Sequence, residues 1–133
     1  MRLTIFSLIV LLMGFPSKDS IAAEFSFTFE WGDLKLCTSG RPNRVTNPVF
    51  KLSNIPEGTV LLKFKMTDLK VRNYNHGGGK MEYNGETIID SGAFKYKSPC
   101  PPNGSHKYEW RIRAYDANDD KIGSAKFVRK YPE

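Results

Sequence analysis

The stretch "FSFTFEW", Phe25 to Trp31, spaces four aromatic residues two apart, with Ser26, Thr28 and Glu30 between them. A helix would scatter those rings around its axis, whereas an extended strand puts all four on one face and the polar residues on the other. The same period recurs in "VLLKFKM", where Val60, Leu62, Phe64 and Met66 are expected inward against Lys63 and Lys65. It recurs again in "YEWRIRA", with Tyr108, Trp110, Ile112 and Ala114 inward against Glu109, Arg111 and Arg113. Strands with one apolar and one wet face belong to antiparallel sheets. Turn signals separate them in "IPEGT", "YNGE" and "DANDDK", and Asn84-Gly85 predicts a two-residue hairpin turn between "KMEY" and "TIID". Beyond the first residues no segment carries a helical period, and the chain has no repeats or low-complexity tract apart from Gly77-Gly78-Gly79. With 133 residues the chain has the length of one domain. The expected fold is all-β with little helix, an antiparallel sandwich or a small barrel.

The amino terminus reads differently. Arg2 precedes an apolar run, "LTIFSLIVLLMGF", then the polar "PSKDS" and the small residues of "IAA" at Ile21 to Ala23. That layout is a secretory signal peptide cleaved near Ala22 or Ala23. A spanning helix needs about 20 apolar residues, more than this run supplies. Residues 1–23 are therefore expected to be a leader and 24–133 the β domain, periplasmic or secreted, with no transmembrane segment once mature. The leader carries Arg2, Lys18 and Asp19, a net of one positive charge, so the chain's +6 falls to +5 in the mature form. That surplus favours anionic partners in general. The basic residues alternate with acids and apolar positions along the sequence, and no nucleic-acid motif appears, so nucleic acid is not expected as a partner. Two cysteines, Cys37 and Cys100, are expected to pair in an exported protein.

Chemically capable residues collect where strands end. Asp68 follows "VLLKFKM", and His76 precedes the triple glycine. His106 closes "SPCPPNGSH", a loop stiffened by Pro99, Pro101 and Pro102. Each has a plain structural explanation: a turn cap, a solvated loop residue, the start of a strand. If they converge, two imidazoles beside a carboxylate can hold a small oxyanion, with the glycine backbone as an anion nest. Ser98, His106 and Asp68 also contain the residue types of a hydrolytic triad, but Ser98 lacks the strand–turn–helix setting of a nucleophile elbow, so no enzymatic activity is expected. No metal motif and no cofactor motif is present. Asn103-Gly104-Ser105 is a glycosylation sequon on the same loop.

The segments "NPVFKLSNIPEGTVLLKFKMTD", "NHGGG" and "YKSPCPPNGSHKYEWRIRAYDA" together resemble the phosphatidylethanolamine-binding protein family, which includes Raf kinase inhibitor protein and bacterial relatives. The likeness runs from about Pro48 to Ala117, and its specific part is the proline–histidine loop. It implies a β-sandwich with an anion pocket at one end. Asp68 would be the first acid of an Asp-Pro-Asp motif, His76 the first pocket histidine, and Pro101, Pro102 and His106 the second wall, with Tyr96 beside them. Where the family has Asp-Pro-Asp-Ala-Pro this chain has "DLKVR", so Lys70 replaces the second acid, and Ser98 replaces the glycine before Pro99. An inward Lys70 would make the pocket more cationic. The ligand implied is a small phosphate-like anion or a phospholipid head group. The alternative is an inhibitor acting by contact on an envelope or extracellular protein, since the family is known for inhibiting other proteins.

Overall fold

The computed structural model describes residues 23–133 together with Gly14 and Ser17, so the expected leader lies almost entirely outside the described residues. Nine strands follow in order: β1 (Ser26–Glu30), β2 (Arg44–Thr46), β3 (Val49–Ser53), β4 (Leu61–Asp68), β5 (Gly78–Glu82), β6 (Ile88–Ile89), β7 (Lys95–Lys97), β8 (His106–Tyr115) and β9 (Lys121–Tyr131). Among the described residues no segment is helical. All pairings are antiparallel, in a four-stranded sheet β5-β4-β8-β9, a three-stranded sheet β1-β3-β6 and a short ribbon β2-β7. The chain is all-β and antiparallel, as the alternation predicts, and takes the sandwich form that the resemblance implies.

The inward rows of the two larger sheets make the core. Phe27 and Phe29 of β1 and Phe50 of β3 meet Phe64 of β4, Trp110 of β8 and Phe127 of β9 in a chain of edge-on and tilted ring contacts. Leu62, Met66, Ile112 and Ala114 fill between the rings, as expected. Val60 departs from its expected place. It precedes β4 and is 43% exposed. Trp31 lies just after β1, half-buried, with its indole N–H donating to the Lys130 carbonyl at 2.8 Å and so pinning the chain to β9.

One other expectation is corrected. Asn84-Gly85 does not close a hairpin: β5 pairs with β4, while β6 pairs with β3 in the other sheet. The segment carries the chain between layers, and Gly85 has the positive φ of 95° that the crossing needs. Gly78 and Gly79 of the triple glycine serve packing at this edge. A Cβ at Gly78 would lie 1.9 Å from the Phe64 carbonyl oxygen, and one at Gly79 would lie 2.2 Å from the Phe94 ring. Only glycine lets β5 approach β4 so closely.

The basic residues, interspersed in sequence, are clustered in space. Lys63 and Lys65 of β4, Lys80 of β5, Arg111 and Arg113 of β8 and Lys126 of β9 all take the outward parity of the four-stranded sheet. Alternation along each strand becomes segregation across the sheet.

Cys37 and Cys100 form a disulfide that joins the β1–β2 connection to the proline loop. Beside it the Asn43 N–H donates to the Ser98 hydroxyl oxygen at 2.9 Å, and the Ser98 N–H donates to the Asn43 carbonyl at 2.8 Å. The proline loop is thus anchored covalently and by hydrogen bonds. A disulfide fits an oxidising compartment. No helix among the described residues is long and apolar enough to cross a membrane.

Candidate functional site

Parity explains how the site arises. Asp68 continues the inward row Leu62, Phe64, Met66 to the last residue of β4, and His106 begins the inward row of β8. In register Asp68 lies opposite Tyr108, two residues from His106. Two polar residues therefore end apolar rows on adjacent strands, and there they meet. His106 Nδ1 lies 2.7 Å from Asp68 Oδ2, with both side chains almost wholly buried.

Asp68 does more than hold His106. Its Oδ1 accepts from the backbone N–H groups of Lys70 and Val71, at 2.9 and 3.3 Å, and so caps the turn that leaves β4. Burial acts to raise the Asp68 carboxyl. The His106 hydrogen bond and charge and the two backbone donors outweigh it, and hold the group below its usual value. Asp68 is therefore ionised, and His106 Nδ1 must be the donor.

His76 comes from the loop between β4 and β5, and is buried where a solvated loop residue was one reading. It clips that loop to the end of β7: His76 Nδ1 donates to the Lys97 carbonyl at 2.8 Å, and the Lys97 N–H donates back to the His76 carbonyl at 2.8 Å. Burial lowers the His76 imidazole below its ordinary value, and the Lys97 carbonyl offsets this only in part. A ring whose Nδ1 proton is held by a carbonyl presents an unprotonated Nε2 when neutral.

Tyr108 sits between the histidines. The His76 ring meets it edge-on at 5.7 Å and the His106 ring stacks on it at 6.3 Å. The structure thus brings Asp68, His76 and His106 around one phenol. Burial, followed by the charge of Asp68, pushes the Tyr108 hydroxyl up, and that hydroxyl has no hydrogen-bond partner among the described residues. From the sequence, Tyr108 is expected only as one of the inward core residues of "YEWRIRA". Its place two residues from His106 on the same face was the signal that marks it.

The other expected residues lie at varied distances from this centre. Pro101 is half-buried and Pro102 exposed on the loop, while Pro99 is fully buried beneath them. Lys70 is exposed, and its recorded link to the cluster is its backbone N–H. Tyr96 precedes Lys97, the residue that holds His76. The Tyr96 ring packs on Trp110 at 4.9 Å, burial raises its hydroxyl, and no ring contact or hydrogen bond joins it to either imidazole among the described residues. With Ser98 it helps line a separate groove of about 820 Å³, bounded by Trp31, Leu34, Asn43 and Val45. Ser98 itself is engaged with Asn43, not with His106. Over His76 lies a residue the sequence analysis did not single out. The Tyr74 ring stands edge-on to His76 at 4.6 Å, and Lys97 Nζ lies 5.5 Å above the Tyr74 ring.

No protein-family model matches the chain, and no curated protein matches it. Among solved structures, the chain is similar to YbcL of E. coli, described as a new member of the mammalian PEBP family. The two share 18% sequence identity with a TM-score of 0.57, over 82% of this chain and 98% of that one. At that identity the likeness is one of architecture: the chain has the fold of the phosphatidylethanolamine-binding proteins.

Proposed function

We propose that the protein is a non-enzymatic binding protein whose Asp68–His76–His106 cluster takes a small phosphate-like anion, free or as a phospholipid head group. We further propose that residues 24–133 are the mature domain, exported to the periplasm or exterior after loss of residues 1–23. The observation that carries the first reading is the shared tautomer of the two rings. Each Nδ1 proton is spent on a protein acceptor, Lys97 carbonyl or Asp68 carboxylate, so each ring offers Nε2 to a ligand. Neutral, Nε2 accepts from a phosphate hydroxyl; protonated, it donates to a phosphate oxygen. The ionised Asp68 fixes the orientation of the His106 ring by accepting from its Nδ1.

Because anion binding favours a protonated His76 and burial holds that ring below its ordinary value of 6.5, affinity is expected to rise as pH falls below that value. Titration calorimetry with inorganic phosphate, run below and well above that value, checks this. Absence of saturable heat at either pH contradicts the reading. Phosphoethanolamine in the same cell separates a head-group site from a plain anion site by which of the two binds more tightly.

Entry requires Tyr74 to leave the His76 ring. An edge-on aromatic pair contributes about 1 kcal/mol. Tyr74→Ala is therefore expected to raise phosphate affinity about fivefold; an unchanged or weakened affinity in the same titration counts against Tyr74 as a cover.

A further inference from the structure

The outward face of the four-stranded sheet carries a charge pattern that sheet stability does not explain. Read across the register, one row runs Lys80, Lys63, Arg113 and the next runs Lys65, Arg111, Lys126. Like charges directly opposite on neighbouring antiparallel strands are destabilising. Glu82 and Glu109 are the acids on this face, and the ion pair found there joins Arg111 to Glu109 at 3.2 Å. Lys63 Nζ is partly satisfied by lying 4.2 Å over the Tyr115 ring. Of the others, Lys65, Lys80 and Lys126 are exposed and Arg113 half-buried, at backbone positions about 5 Å apart between strands and about 7 Å apart along them.

We infer that this face docks onto an anionic phospholipid bilayer. The cations extend over all four strands, a two-dimensional array, and a planar sheet of anionic head groups meets every row at once. A duplex is a cylinder and would touch such a face along a narrow strip. Single-stranded nucleic acid needs exposed rings on which to stack bases, and Tyr115 on this face is already taken by Lys63. The inference is independent of the histidine cluster, whose Asp68 and His106 lie on the inward rows of the same sheet.

Sedimentation with vesicles of phosphatidylcholine mixed with phosphatidylglycerol tests it, with pure phosphatidylcholine vesicles reporting any charge-independent binding. The protein is expected to bind the mixed vesicles preferentially and to be released by salt. Each lysine close to such a surface contributes about fivefold in affinity, so Lys65→Gln with Lys126→Gln should weaken binding about 25-fold. Lys51→Gln with Lys95→Gln removes the same charge from exposed positions on β3 and β7, and should weaken it far less. Equal binding to both vesicle types, equal loss in the two double variants, or tighter binding to linear duplex DNA at the same ionic strength would each overturn the inference.

Discussion

Asp68→Ala is expected to lower stability by about 3 kcal/mol in urea denaturation, among the largest effects of any single change outside the apolar core. The loss has two sources. His106 would keep its Nδ1 proton in a buried place with no acceptor, and the N–H groups of Lys70 and Val71 would lose the cap that shapes the turn after β4. A change near zero would mean that the pair is open to water, contrary to its burial.

The same residue sets one of two acid-side steps in stability. His76 is held below its ordinary value of 6.5 when folded, so the unfolded chain takes up a proton first. Its contribution is complete above that value and is lost as pH falls below it. Asp68 is held below its ordinary 3.8, so its contribution is complete above that value and is lost only as pH falls further, through the depressed folded value. Urea midpoints measured against pH should therefore decline in two stages. His76→Gln should remove the upper stage, and Asp68→Ala the lower.

Loss of the Cys37–Cys100 bridge, by reduction or as the Cys37→Ser, Cys100→Ser double variant, is expected to lower stability by about 4 kcal/mol. The bridge closes a loop spanning 63 residues of sequence separation, and a loop that long loses much unfolded-state freedom. The effect should reach the site as well, because the bridge and the Ser98–Asn43 bonds both fix the proline loop that leads into His106. Thermal denaturation with and without reductant measures it; an unchanged midpoint would mean that the hydrogen bonds alone hold the loop.

The strands were legible because period two is a local signal, and in β1, β4 and β8 it is unbroken. The same signal, extended one step to Asp68 and His106, already places both on the inner face. Which strands pair is not local. "KMEY" and "TIID" flank a good turn, yet β5 is claimed by β4 through Gly78 and Gly79 and β6 by β3. Tyr96 and Tyr108 are alike in sequence, two inward tyrosines on strands that flank the loop. Only the register sets Tyr108 opposite Asp68 and sends Tyr96 to Trp110. The clustering of lysines and arginines was hidden for the same reason. Alternation looks dispersed until the strands are laid side by side.

The central claim is that His76 and His106 together receive a phosphate-like anion through Nε2. Nitrogen NMR of the imidazole rings during a titration with inorganic phosphate reads that atom directly. The account predicts that the Nε2 resonances of both rings move together and saturate, towards the protonated position, while each Nδ1 remains protonated. Nε2 resonances of either ring that stay still across the titration would contradict it.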